Sequence, residues 1–446
     1  MYDRKRSGKM KKSENQQEEI RREGETQRVS VRDRLKVLTS TKKKTAPKEK
    51  KTQEKKGISE EQIRRFRIGM LCLVAGIAVV VLAQMIVTSF QYNTYEVVED
   101  TGTQNTGVVD YIPYQNSLLK YSKDGAVYVD EKGEPVWNET YAMKMPVADV
   151  CGEYVAVADL NGNDVYIFDT EGKVSNTTMP YKVCDIEVAA QGVFAVILEG
   201  EKENYINLYD KNGNIILEKR TTIDQGGYPM DMDLSENGEK LFTTYLSIDG
   251  GQTKNGLTAF NFGEVGQSAN SDRMVGGYLL DNTMVPKVAF LDNNTICAFG
   301  DNQFLLYEMR QRSSEKATIS LEEEVRSVFY NSSYVGTVMR NDSATRKVKN
   351  ENAPYVFDLY NTNGRRVLTR EIDFNYEHVR MYEKEIIFTG GTECRIYTLS
   401  GKLKFSYAFQ RNVKDLIPTG VSNRYIILYD NGSEVIRLKH KSEETE

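Results

Sequence analysis

INLYDKNGNIIL, residues 206–217, alternates apolar and polar side chains, turns at Gly213 and resumes the alternation on the far side. Period-two alternation is the pattern of a strand with one buried face, and a Gly in the turn supplies the positive φ that a tight hairpin needs. The unit recurs as AVYVDEKGEPVW (126–137), DVYIFDTEGKV (164–174), VFDLYNTNGRRVL (356–368) and RIYTLSGKLKF (395–405), with Gly133, Gly172, Gly364 and Gly401 at the turns.

A second element precedes it. VVDYI (108–112), VADV (147–150), VCDI (183–186), PMDM (229–232) and VKDLI (413–417) share Asp at the third position, and VPKVAF (285–290), VRSVF (325–329) and YEHVR (376–380) are weaker versions. Between the two elements lies a further strand, such as YVAVADLNG (154–162). Units therefore begin near 108, 147, 183, 229, 285, 325, 376 and 413, each with four short strands. Self-similarity at this period predicts an all-β propeller over 108–439, in which four-stranded blades bury their faces only against neighbours in a ring. The count is eight blades, with seven as the alternative. The last unit lacks a fourth strand. TYEVVE (94–99), in the linker 91–107, is expected to supply it and close the ring. Residues 247–256 (SIDGGQTKNG) and 341–354 read as exposed loops, and 440–446 as a disordered tail.

Upstream the chain changes character. Residues 68–90, IGMLCLVAGIAVVVLAQMIVTSF, are 23 residues without a charge, enough for a helix to cross a bilayer. Residues 1–67 hold 23 Lys and Arg against 11 Asp and Glu, a net +12, so the remainder carries −17. Arg64, Arg65 and Arg67 abut the apolar run. The positive-inside rule then places the N-terminus in the cytoplasm and the propeller outside it, with 68–90 as an uncleaved single-pass signal anchor of the cell membrane. Residues 1–67 are expected to be mostly disordered. Within them, 30–39 reads either as a docking helix, for anionic lipid or a cytoplasmic protein, or as transient helix. Acidic residues interleave the basic ones throughout, and no aromatic platform accompanies them. The composition therefore points away from nucleic acid.

Chemistry-bearing residues are sparse. Of two histidines, His440 is terminal and His378 takes the third position of the seventh unit, where other units have Asp. No metal-ligand spacing, P-loop or nucleophile motif is present. Cys72 lies in the apolar run; Cys151, Cys184, Cys297 and Cys394 are widely spaced, with Cys151–Cys184 as the one pairing the repeat positions suggest. The best constellation is the repeated carboxylate: Asp110, Asp149, Asp185, Asp231 and Asp415. Brought to the propeller axis, these side chains suit Ca²⁺ or a cationic ligand, or acid–base work. The structural alternative is that each accepts backbone N–H bonds from a turn.

AVYVDEKGEPVW and NLYDKNGNIILEK resemble the repeats of quinoprotein-like and WD40-like propellers: a strand, a turn with Gly, and a strand that often ends in Trp. The quinone-cofactor dehydrogenases of that superfamily carry Trp in most blades, whereas this chain has only Trp137. The resemblance therefore implies the non-enzymatic branch, whose envelope members act as assembly scaffolds. The layout also resembles uncharacterised bacterial single-pass proteins with an exported propeller. The expected function is a protein-binding or scaffold module at the cell envelope, without a cofactor. The alternatives are an envelope enzyme acting on glycan or peptide in the channel, with the Asp set and His378 as its groups, or a ligand-sensing receptor signalling through the membrane helix.

Overall fold

The computed structural model describes residues 91–440 apart from 101–108, 116, 131–132, 224–225, 270, 282, 322, 342–349, 351 and 431, together with Met70, Leu73 and Gly76. Those last three are helical. The basic tail, the segment 30–39 and the rest of the apolar run lie outside the described residues, as does most of the expected loop 341–354. Among the described residues no helix is long and apolar enough to cross a membrane.

The strands form eight four-stranded antiparallel sheets, the blades of a propeller. Their innermost strands are Asp110–Tyr114, Pro146–Cys151, Lys182–Val188, Tyr228–Leu234, Lys287–Asp292, Val325–Tyr330, His378–Met381 and Val413–Pro418, which number blades one to eight. In blades one to seven the next three strands follow in chain order outward. Blade eight takes only three strands from the C-terminal end. Its outermost strand is Thr94–Asp100, paired antiparallel with Gly432–Lys439 from Thr94↔Lys439 to Asp100↔Glu434. Alternating strand direction gives the ring two faces. We call upper the face where innermost strands begin, and lower the face where Thr94 enters.

Eight hydrophobic clusters form the core, one at each boundary between neighbouring blades. A blade of alternating residues has two apolar faces, so each face is covered by the next sheet. The boundary between blades seven and eight is rich, with Phe405, Phe409, Tyr425, Ile427 and Ile436 buried together. The boundary where the ring closes, between blades eight and one, is the smallest: Leu118, Val129, Ile417, Ile426, Leu428 and Val435.

The repeated turn explains the regularity. Asp210 Oδ1 accepts hydrogen bonds from the amides of Asn212 and Asn214, and Gly213 N donates to the Asp210 carbonyl at 2.9 Å, with Gly213 at φ +84°. Asn361 does the same in blade six ahead of Gly364. A register shift follows beside each such turn, the G1-bulge geometry that positive φ permits. Outermost strands dock on the neighbouring turn. Trp137 Nε1 donates to the Asp169 carbonyl at 3.0 Å and its ring stacks on Phe168. Ser175 fills the matching place in blade two, donating to the Lys211 carbonyl at 2.6 Å, and Arg370 of blade six reaches the Gly401 carbonyl at 2.8 Å. In these two blades a polar side chain makes the docking bond that Trp137 makes in blade one.

One expected loop is corrected. Residues 247–256 belong to a hairpin of two ten-residue strands, Lys240–Asp249 and Gln252–Asn261, turning at Gly250 and Gly251. Tyr228 pairs with Leu246 and Leu280 with Asn255, so 247–254 stand above the flanking strands as a two-stranded ribbon. The Gly-Gly pair at positive φ suits a two-residue hairpin turn, and it was the overlooked signal.

Deleting residues 92–100 removes the closing strand and uncovers the edge of Gly432–Lys439. Thermal unfolding of this variant is expected to drop by roughly 10 °C or more, given that about 1 kcal/mol moves a large domain by a few degrees. An unchanged Tm shows that the ring closes without this strand.

Candidate functional site

The innermost strands carry the repeated polar positions to the axis. In blades three, four, six and eight the pairing skips one residue before the third position, between Val183 and Asp185, Pro229 and Asp231, Val325 and Ser327, and Val413 and Asp415. A bulge at the same place in four blades sets the direction of the side chain that follows it. Lys287, Ser327 and His378 hold the equivalent position in blades five, six and seven.

Asp149 does not belong to this layer. Its Oδ2 accepts the amide of Val188 in blade three at 2.7 Å. In blade four, Asp231 accepts Val288 N at 2.7 Å, and Asp233, two residues deeper, accepts Phe290 N at 2.6 Å. Val188 and Phe290 are corresponding residues of their strands, so Asp149 aligns with Asp233 rather than with Asp231. The strand of blade two pairs without a bulge up to Cys151↔Tyr154, which shifts its Asp by two relative to the sequence alignment. The acceptor role is therefore real for Asp149 and Asp231, but the donors are innermost-strand amides of the following blade, not turn amides. These bonds tie blade two to three and blade four to five.

Sequence reading missed Glu187 and Asp233. Both lie two residues after a repeated Asp, in VCDIEV and PMDMDL, and i, i+2 places them on the same strand face. Asp149, Asp185, Glu187, Asp231 and Asp233 thus gather on the blade two-to-four side of the axis, each half-buried. Desolvation raises all five. For Asp185, burial and then the neighbouring Asp231 carboxylate push the pKa to about 7. For Asp233, burial carries it to about 8 against the opposing bond from Phe290 N. Glu187 goes well above the carboxylate range through burial and then Asp149. Lys287 on blade five pulls the group back toward ionisation. The Oδ2 of Asp185 is buried without a hydrogen-bond partner among the described residues.

Asp110 and Asp415 sit on the other side of the axis. They border a cavity of about 400 Å³, together with Ser327, Glu377, His378, Arg380 and Lys414. Asp415 is buried, bonded to Leu416 N at 2.8 Å and ion-paired with Arg380 at 2.9 Å. Burial raises its pKa, and Arg380 then lowers it. His378 is exposed there. Ser327 Oγ is hydrogen-bonded to the Tyr376 hydroxyl at 2.8 Å, so the hydroxyl nearest His378 in the repeat is engaged within the fold. The cavity offers mixed charges for a small polar ligand. The five repeated carboxylates do not meet at one point. Among the described residues no group of three or more His, Cys, Asp or Glu is arranged to hold a metal ion.

Among the described residues the cysteines form no bridge. Cys151 and Cys184 are half-buried and free, and Cys297 and Cys394 are buried. Cys151 lies at the lower end of its strand and Cys184 is the bulged residue at the upper end of its own, which correct the suggested pairing. Burial pushes the Cys151 thiol up to about 12, away from thiolate chemistry.

The raised carboxyls make a pH prediction with a definite sign. A carboxyl whose folded pKa lies above its unfolded value binds more protons folded than unfolded between those values. Stability is then fully present below about pH 4 and is lost as pH rises through 7 to 8. Melting temperatures are expected to fall between pH 5 and pH 8, at about 1.4 kcal/mol for each tenfold change in proton affinity. Asp185→Asn is expected to flatten that slope, whereas Asp233→Ala leaves Phe290 N unpaired and costs about 1–3 kcal/mol. A Tm that rises toward pH 8 refutes the buried-acid reading.

With the geometry in place, the chain can be set beside known proteins. No curated protein matches it. Among solved structures, Sqt1 of Saccharomyces cerevisiae is 10% identical at a TM-score of 0.52, covering 79% of this chain and 100% of that one. BamB from Moraxella catarrhalis is 10% identical at 0.49, covering 78% and 100%. The WD40 domain of Neurospora crassa Pan2 is 12% identical at 0.41, covering 68% and 90%. The likeness to Sqt1 shows a common propeller fold and leaves function to the site. Residues 88–438 match the model of a family of unknown function, DUF5711, and the chain belongs to that family.

Proposed function

We propose that the chain is a non-enzymatic binding module: a single-pass, N-in membrane protein whose propeller stands outside the cytoplasm and recruits a protein partner. The observation that carries this reading is a cluster of exposed apolar side chains on one sector of the upper face. Tyr181, Ile223, Tyr228, Ile248, Leu279 and Met284 are all exposed, and all lie on upper-face connections or strand ends of blades two to five. Ile248, 53% exposed, rides on the raised ribbon of blade four, and Leu279 beside it is 62% exposed. Large apolar side chains gathered on neighbouring connections of a rigid ring are what a protein interface needs, and isolated ones are not. The mixed-charge axis beside them favours binding over chemistry. Anchoring is supported by the length of 68–90 and by the charge step across it.

Affinity capture with the full chain from solubilised membranes tests the proposal. A specific protein held by the wild type is expected to be lost at least tenfold with Tyr228→Ala/Ile248→Asp, without a change in Tm, and to be retained with Asp110→Asn. Capture that survives the face variant but fails with Asp110→Asn moves the function into the axial cavity. Carbonate extraction checks the anchor separately: the chain stays with the membrane pellet if 68–90 spans the bilayer.

A further inference from the structure

The chain joins the propeller at a fixed point. Tyr92 N donates to the Lys404 carbonyl at 2.8 Å, Asn423 Nδ2 donates to the Tyr92 hydroxyl at 2.8 Å, and the Tyr92 ring stacks on His440 at 4.5 Å between centroids. Lys404 lies near the start of an outermost strand and Asn423 in the connection between the first two strands of blade eight, so the junction is on the lower face. The uncharged run ends at Phe90. Only Gln91 separates it from a residue held by the ring, and one residue spans at most about 3.6 Å.

A cavity of about 450 Å³ opens beside this junction. It lies between Tyr382–Glu385 of blade seven and Pro418–Tyr425 of blade eight, with Lys404 at its wall. Glu385, Lys404 and Tyr425 bond to one another. Exposed Lys384 and Glu383 stand at its edge. Val421, at the tip of the blade-eight connection, is 52% exposed. Among the described residues it is the one large apolar side chain exposed on a lower-face connection, and it is two residues from the Asn423 that binds Tyr92.

We propose that the lower-face connections of blades seven and eight rest on the headgroups of the outer phospholipid leaflet. Val421 enters the headgroup–acyl boundary and Lys384 meets lipid phosphate. The proposal rests on the membrane-anchor reading and extends it. A linker of one residue leaves the ring no room to stand away from the bilayer, so the surface nearest the junction must match lipid. An apolar tip beside a lysine and Tyr92 is the composition that suits an interface of that kind. The upper face, with its exposed apolar residues, is then directed away from the membrane.

Lipid quenching in the full chain tests this. Trp137 is buried, so Val421→Trp and, separately, Ile248→Trp each add one exposed indole. The chain is reconstituted in nanodiscs of phosphatidylcholine and phosphatidylglycerol brominated near the headgroup. The added emission of Val421→Trp is expected to fall by about half or more, that of Ile248→Trp to stay unchanged, and Lys384→Glu to relieve the quenching of Val421→Trp. Equal or absent quenching at the two positions overturns the proposal while leaving the anchor intact if the chain still resists carbonate. Release by carbonate overturns the anchor and this orientation with it.

Discussion

The antiparallel pairing of Thr94–Asp100 with Gly432–Lys439 converts seven complete sheets and one three-stranded remnant into a closed ring. Without it, blade eight ends on an open edge with a row of unpaired backbone groups. Tyr95 also leaves its place against Tyr407 and Phe409. The dependence runs further than one blade. Every apolar sheet face is covered by a neighbour, so an opened ring exposes two faces at the seam. That seam, between blades eight and one, already has the smallest buried cluster. The richest aromatic packing lies one boundary back, between blades seven and eight, where Phe405, Phe409, Tyr425 and Tyr429 hold the remnant that the closing strand completes. Ion pairs from Glu96 to Lys439 and Arg437 add little by themselves at such exposure, so strand pairing and ring burial carry the closure.

The axis shows a second compromise. Asp149, Asp231 and Asp233 each hold an amide of the following blade, which orients neighbouring innermost strands at the narrowest part of the ring. A carboxylate is a strong acceptor for that purpose. The cost is like charge brought together away from water, which raises the pKa of each carboxyl. Blade five relieves part of this with Lys287 at the place where blade four has Asp231. The opposite side of the axis solves the same problem with a counter-ion, Arg380 on Asp415. The axis is therefore not one site repeated eight times. It divides into an acid cluster that holds blades together and a mixed-charge cavity that does not.

Most of the fold was legible because repetition amplifies a weak local signal. One strand–Gly–strand unit is a common hairpin pattern, but its recurrence with a second element at a steady period leaves few architectures. The closing strand was legible from a deficit, since the last unit lacked a partner and TYEVVE had none. What was not legible depends on register. VADV reads like VCDI, yet the bulge that precedes Asp185 is absent ahead of Asp149, and the side chain lands one layer deeper. A β-bulge depends on how two strands pair, and a single strand's sequence does not report it. Glu187 and Asp233 escaped because the motif was read at one position per unit, although a strand offers its neighbour two residues on to the same side. The hairpin of blade four escaped because Gly, Ser and Asn read as loop, when Gly-Gly is also what a two-residue turn requires.

The entry of the chain on the lower face and the room for longer connections on the upper face follow from one topological fact. Strand direction alternates within a blade, so a chain that enters at the outermost strand of the last blade enters on the lower face and crosses to the first blade on the upper one. The chain therefore enters the ring below, at Tyr92. The upper connections can lengthen at no cost to the ring, as the ribbon carrying Ile248 does in blade four. Lower connections near the junction lack that freedom. The Tyr92 bonds fix them to Lys404 and Asn423, and a displaced connection would break the same contacts that seat the closing strand. The difference in freedom between the faces thus arises from where the ring is closed.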